Sequence, residues 1–234
     1  MRTGILVHSL PAALDIYEEA KRVPGVELFV LVCPAPGDVG FRGLAKQIAR
    51  LIFKSGRAGS LKLLAGRKVI LFQKPLDHPD TLARLEKLKL DVGLHKTGII
   101  YRESTVKAFR SGILNPHIGL LPEYRGRGVM EWAIIEGKPV GVTVFFVDAG
   151  IDTGGRVVLR EEIQIPHCKS IQETKQYLFN LDALLFRRAL ELLSSEDFRC
   201  AANDASGRRY YVMSNLFQGA VEEIMRRRTM DDRR

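Results

Sequence analysis

Residues 113–126 read Ile-Leu-Asn-Pro-His-Ile-Gly-Leu-Leu-Pro-Glu-Tyr-Arg-Gly, and residues 141–155 read Gly-Val-Thr-Val-Phe-Phe-Val-Asp-Ala-Gly-Ile-Asp-Thr-Gly-Gly. Each starts as a short apolar run and ends among glycine, proline and polar residues, the pattern of a buried strand running into a loop. Side chains alternate across a strand, so Asn115 and His117 point the same way. Pro116 between them cannot donate to a sheet ladder, which places it at a strand end or an edge. Loops beyond the carboxyl ends of strands are where open α/β sheets place their ligands. An amide, an imidazole and a carboxylate on two such strand ends can stabilise an oxyanion and move a proton. Taken singly each residue is less telling. An Asp beside Gly is usually a turn former, and a lone His is more often a hydrogen-bonded structural group.

Outward from these stretches the chain alternates between strand and helix patterns. Residues 3–8 and 26–33 read as buried strands, and 11–22 between them as a helix with Pro11 in its first turn. Residues 68–72 and 91–95 read as further strands. Residues 79–87 and 104–110 read as helices, the first capped by Asp77 or His78. Residues 112–115 form the strand that leads to His117. Residues 129–136 read as a helix, 140–147 and 156–165 as an antiparallel pair, 169–193 as one long amphipathic helix, 207–213 as a short strand and 218–228 as a closing helix. Alternating strands and helices imply an α/β, Rossmann-like fold with a mostly parallel central sheet flanked by helices. The later hairpin makes that sheet mixed.

The ordered set Asn-x-His, Leu-Leu-Pro-x-Tyr-Arg-Gly and Gly-Val-Thr…Asp-x-x-x-Asp-Thr-Gly-Gly, within residues 98–165, resembles the 10-formyltetrahydrofolate-dependent formyltransferase family. The layout is closest to the compact sugar N-formyltransferases, and the core is also like methionyl-tRNA formyltransferase. The resemblance implies a formyltransferase fold and transfer of a formyl group from N10-formyltetrahydrofolate, as co-substrate, to a primary amine. It implies Asn115, His117 and Asp152 as catalytic residues. Asn115 suits the formyl oxygen as an uncharged donor. His117 donates or shuttles a proton, and Asp152 holds the imidazole and accepts the amine proton. Asp148 competes for the last role, but the alignment favours Asp152 and sets Asp148 against the pterin ring. Gly98, Ile100 and Tyr101 fall at the spacing of the family's folate-binding hinge, and Ile151 joins them in the donor site. Tyr124 and Arg125, and Arg42 and Lys46 from a basic segment, are the expected substrate contacts. The sequence departs from the pattern in two places. Many members have Ser or Thr where Gly119 stands, and some have His where Phe145 stands.

Composition bounds the reading further. The chain of 234 residues is 46% hydrophobic, enough for one sizeable core, with a short extension at most. We expect a catalytic domain over residues 1–195, carrying a basic helical segment at about 41–66, and a short C-terminal extension over 196–234. The three cysteines, Cys33, Cys168 and Cys200, show no paired spacing, so neither a disulfide framework nor a metal site is expected. That usage suits a reducing cytoplasm. The opening residues are too short an apolar run for a signal peptide, and no run suits a membrane span. Net charge is +9, and it is local. Arg42, Lys46, Arg50, Lys54, Arg57, Lys62, Arg67, Lys68 and Lys74 lie in residues 39–76 with no acid among them. Elsewhere the charges balance. The segment reads as one or two basic amphipathic helices. A solvated face, phosphate attraction and contact with an anionic membrane surface all stay open.

The acceptor follows by comparison of classes. Glycinamide ribonucleotide transformylases carry a glycine-rich phosphate loop after the first strand. Residues 8–13 here, His-Ser-Leu-Pro-Ala-Ala, contain no glycine. Methionyl-tRNA formyltransferases add a C-terminal β-barrel domain, for which too little chain is expected after Met213, and tRNA is disfavoured. Formyltetrahydrofolate hydrolases add an N-terminal regulatory domain, which is not expected before Thr3. A nucleotide-linked amino sugar remains. A methionyl-tRNA formyltransferase-like enzyme, a hydrolase and an inactive folate-binding module stay as alternatives. Val212-Met213 and Leu216-Phe217 are the expected surface for a homodimer.

Overall fold

The computed structural model describes residues 1–33, 68–148, 152, 153, 155–165, 170–203 and 207–231, with side chains as far as residue 227. The expected basic segment, including Arg42 and Lys46, and the expected donor contact Ile151 lie outside the described residues. The chain folds as two units, Met1–Asn115 with Phe186–Glu196, and Pro116–Leu185 with Asp197–Arg234.

In the first unit five parallel strands follow the order β3-β2-β1-β4-β5. They are β1 (Arg2–Val7), β2 (Glu27–Val32), β3 (Val69–Leu71), β4 (Val92–Lys96) and β5 (Gly112–His117). β1 and β2 are buried at every position but the first, on both faces, as a covered parallel sheet requires. Helix α1 (Leu10–Ala20) buries Leu10, Ala13, Ile16 and Ala20, a stripe at helical spacing that packs against β1 and β2. Helix α2 (Pro79–Leu88) starts at His78, whose side chain accepts from Asp80 N–H, so His78 rather than Asp77 is the cap. Its left-handed C-cap is Lys89. The short α3 (Glu103–Lys107) precedes β5. β5 pairs with β4 over Gly112–Leu114, so Asn115, Pro116 and His117 extend past that pairing, where Pro116 has no β4 partner to which it would donate.

In the second unit β7 (Gly141–Phe146) and β8 (Arg156–Glu162) form the expected antiparallel hairpin, with a bulge at Val144/Phe145. β8 pairs in turn with β9 (Ala201–Ala202). A separate two-stranded parallel ribbon joins β6 (Arg125–Gly126) to β10 (Arg209–Tyr210). The mixed, mostly parallel strand pairing matches the expectation from sequence. Helix α4 (Val129–Ile135) packs on α7 (Asn215–Asp231), which also meets α5 (Ile171–Asn180). The buried Glu131 of α4 is neutralised by Lys175 of α5 at 2.5 Å. Residues beyond 196, expected as an extension, supply β9, β10 and α7 to this unit.

One expected helix proves to be two. Residues 169–193 break at Leu181 into α5 and α6 (Asp182–Leu193). Leu181 ends α5 with its N–H turned back to Leu178 and Phe179, and Asn180 and Asp182 on either side are weak interior helix formers. The apolar periodicity runs on through the break, which is why the pattern alone reads as a single helix.

Candidate active site

At the end of β5 the His117 side chain is 9% exposed and both ring nitrogens face protein groups. Nε2 lies 2.9 Å from the Tyr124 carbonyl oxygen. A carbonyl only accepts, so Nε2 carries a proton. Nδ1 lies 3.5 Å from Asp152 Oδ1, at ion-pair range once the ring is charged. The proton that arrives or leaves at Nδ1 does so in front of the carboxylate. Phe145 meets the ring edge to face, with centroids 6.5 Å apart.

Asp152 holds a left-handed backbone, φ +52°, a conformation Asp tolerates better than most residues. Its second carboxylate oxygen, Oδ2, accepts the Gly126 N–H at 3.1 Å. Asp152 thus takes a turn conformation and at the same time sets its carboxylate against His117 and Gly126. Tyr124 supplies a carbonyl oxygen to His117 and Gly126 an N–H to Asp152, so one short loop aligns the two side chains through its backbone.

That loop is itself fastened. Thr143, fully buried on β7, donates to the Gly119 carbonyl at 2.7 Å and accepts from Leu121 N–H at 3.0 Å. Arg160 on β8 donates from Nε to the Leu121 carbonyl at 2.9 Å and from Nη2 to Glu123 at 3.1 Å. Gly119 is required by space: a Cβ there would lie 2.6 Å from both His117 Nε2 and Tyr124 O, the two ends of the hydrogen bond. Glycine at 119 thus accommodates this histidine placement.

Tyr124, expected to touch substrate, is 8% exposed and committed to the protein. Its ring stacks on Tyr210, centroids 5.3 Å apart, and Tyr210 meets Trp132 at 5.6 Å. The Tyr124 hydroxyl donates to Glu136 at 2.7 Å and that of Tyr210 at 3.2 Å. Burial, and then the Glu136 carboxylate, hold both phenols above their usual pKa. A hydroxyl and a ring occupied in this way leave the Tyr124 carbonyl as its contribution to the site. Arg125 is half-buried in β6.

Asn115 lies half-buried on β5, two positions before His117. Asp148 is exposed and accepts the Thr153 hydroxyl at 2.8 Å. In the first unit Gly98 has φ +68° and its N–H points to His95 Nε2 at 3.3 Å. His95 Nδ1 meets the Tyr101 hydroxyl at 2.7 Å, and that hydroxyl meets Thr97 Oγ1 at 3.0 Å. Tyr101 is buried, so its hydroxyl is engaged internally, whereas Ile100 is 77% exposed. Burial holds the His95 pKa down to about 4, with Lys96 and His8 adding to the effect. Its neutral form accepts the Gly98 N–H and so holds the turn there. Sequence reasoning does not single out His95 or Thr143. The one signal each gives is a polar side chain inside an otherwise apolar strand pattern. The backbone atoms of Tyr124 and Gly126 carry no such signal.

Residues 51–190 match the family model described as formyl transferase. The chain belongs to the formyl transferase family. It is 29% identical, over 151 residues, to the methionyl-tRNA formyltransferase of Alkaliphilus oremlandii (strain OhILAs), covering 61% of this chain and 48% of that one. The chain thus spans about half the length of the curated relatives it matches. Among solved structures it resembles a 4-N formyltransferase from Francisella tularensis, with a TM-score of 0.60 at 16% identity over 98% of this chain and 87% of that one. It also resembles the formyltransferase PseJ from Anoxybacillus kamchatkensis, solved with UDP-4,6-dideoxy-4-formamido-L-AltNAc and tetrahydrofolate. There the TM-score is 0.57 at 17% identity over 97% of this chain and 98% of that one. At these identities the likeness is one of fold.

Proposed function

We propose that this chain transfers a formyl group from N10-formyltetrahydrofolate to a primary amine, and that the amine belongs to a nucleotide-linked amino sugar. The observation that carries the chemistry is the facing of His117 Nδ1 and Asp152 Oδ1 at 3.5 Å, within a loop matched by the family model. The acceptor nitrogen attacks the formyl carbon and an oxyanion forms on the formyl oxygen. The carbon–N10 bond then breaks, the amine loses a proton, and N10 gains one. Asn115 supplies an uncharged donor for the oxyanion, and such a donor contributes about 3 kcal/mol to a transition state. His117, with Nε2 held by Tyr124, exchanges its proton at Nδ1, and Asp152 accepts the amine proton directly or through that ring. The residues around Gly98 fit a donor hinge. A glycine at φ +68° is fixed by a half-buried neutral histidine, and Ile100 stands exposed beside it. Asp148 shapes the catalytic loop in this reading.

The sugar acceptor is supported by the turn after β1. Ser9 precedes α1 without a side-chain cap, and Leu10 and Pro11 follow where a phosphate loop would place glycines. Likeness in fold to PseJ over nearly the whole of both chains agrees with it. A second reading, formylation of methionyl-tRNA, is favoured by the identity to the Alkaliphilus protein. The test is to mix the chain with 10-formyltetrahydrofolate and either a panel of nucleotide-linked amino sugars or methionyl-tRNA, and to follow tetrahydrofolate release. Release only with an amino sugar supports the proposal. Release only with methionyl-tRNA replaces the acceptor, release without any amine indicates a hydrolase, and donor binding without release rejects catalysis.

A further inference from the structure

The β6–β10 ribbon carries an unusual concentration of positive charge. Arg125 and Arg209 are register partners in its parallel pairing, which sets the two positions side by side on one face. Arg127 prolongs the ribbon by donating its N–H to the Tyr210 carbonyl at 3.1 Å, and Arg208 precedes β10. Arg127, Arg208 and Arg209 are exposed, and among the described residues no carboxylate lies within ion-pair distance of them.

The arginines are held rather than splayed. The Arg209 guanidinium lies 5.3 Å from the Tyr211 ring centroid, and that of Arg208 lies 5.1 Å from Tyr210. Such stacking orients the planar group and leaves its N–H edge free to meet an oxyanion in two-point fashion. Tyr211 is 65% exposed, so its ring is open to a flat ligand. The ribbon also adjoins the proposed acid. Gly126, partner of Tyr210, is the residue whose N–H reaches Asp152, and Arg125 and Arg127 flank it in sequence.

We infer that this ribbon is a phosphate-binding face for a nucleoside diphosphate. Arg127 and Arg209 grip the phosphates, Arg125 and Arg208 reinforce the field, and Tyr211 stacks on the base. The inference rests on the amine-acceptor reading above and specifies where the acceptor's anionic part is held. It makes the charge of this ribbon a binding device rather than a solvated surface.

The test measures binding, with no formyl donor present, so that it stands apart from turnover. The full chain is titrated with UDP, ADP, GDP and CDP, and with inorganic pyrophosphate, at low and moderate salt. Wild type is expected to bind at least one nucleoside diphosphate, more weakly as salt rises. Arg127→Ala with Arg209→Ala should weaken that binding at least tenfold and flatten the salt dependence, while the corresponding double Lys variant keeps most of it. Tyr211→Ala should lower nucleotide affinity several-fold and leave pyrophosphate unchanged. His117→Ala, which removes turnover under the proposed function, should bind the nucleotide as wild type does. Displacement by a nucleotide sugar identifies a small-molecule source of the phosphates, and displacement by tRNA a nucleic-acid source. The inference is overturned if wild type binds none of the four nucleotides. It is also overturned if the folded double Ala variant binds as wild type does.

Discussion

His117 Nδ1 faces Asp152 Oδ1 at 3.5 Å while the opposite nitrogen of the same ring is held 2.9 Å from the Tyr124 carbonyl. The ring therefore has one nitrogen committed to the backbone and one facing an acid. Its tautomer is set by an atom that any residue at position 124 would supply.

The first prediction concerns this pair and its neighbour on β5. Asn115→Ala, His117→Ala and Asp152→Ala should each lower formyl transfer by at least about a hundredfold. Asp152→Asn keeps an oxygen for the Gly126 N–H and should be equally slow, because the carboxylate is what the proton needs. Steady-state rates, read beside a thermal melt that shows each variant folded, check this. A near-normal rate in any one removes that residue from the mechanism.

The second concerns Thr143, whose hydroxyl serves both Gly119 and Leu121. Thr143→Val preserves shape and leaves a buried carbonyl and a buried N–H without their partner. It should cost about 2–3 kcal/mol of stability, with Thr143→Ser much milder. Urea unfolding of the three proteins measures it. Equal midpoints for wild type and the Val variant would show that water replaces the hydroxyl.

The third concerns Gly126, which has φ +107° and whose added Cβ would lie 2.3 Å from Tyr210 O. Gly126→Ala should destabilise the chain by roughly 2–4 kcal/mol, since backbone strain and a backbone clash add. It should also slow turnover, because the Gly126 N–H that orients Asp152 must move. Chemical denaturation and the rate of the folded fraction separate the two effects.

The fourth concerns pH. Burial lowers the His95 pKa from 6.5 to about 4, so its neutral form is the one the fold accepts. The unfolded chain takes up a proton there first as pH falls. The stabilisation is complete above pH 6.5 and is lost progressively between 6.5 and 4, amounting to roughly 2 kcal/mol with allowance for partial solvent access. Melting temperatures across that window should fall more steeply for wild type than for His95→Gln. Parallel curves would assign the acid sensitivity to other groups.

Much of the architecture could be read locally. The strands from β1 to β5, the β7–β8 hairpin, α1 and α2 fall within a few residues of their expected bounds, because alternation, apolar runs and capping residues are written into neighbouring positions. The break at Leu181 could not, since a stripe of apolar residues continues through it. Tyr124 reads as a substrate contact because an aromatic in a functional loop looks like one. Its partners Tyr210 and Glu136 come from distant sequence and turn it inward.

By itself the sequence determined the order of the strands along the chain, the family, and the candidacy of Asn115, His117 and Asp152, since residue types and spacing are sufficient for each. Tertiary structure alone decided which groups the two nitrogens of His117 meet and how Asp152 is held. Those depend on a carbonyl at Tyr124, an N–H at Gly126 and a parallel pairing of β6 with β10. Every residue carries such backbone groups, so they leave no mark in the sequence, and only the folded chain selects which of them meet the site.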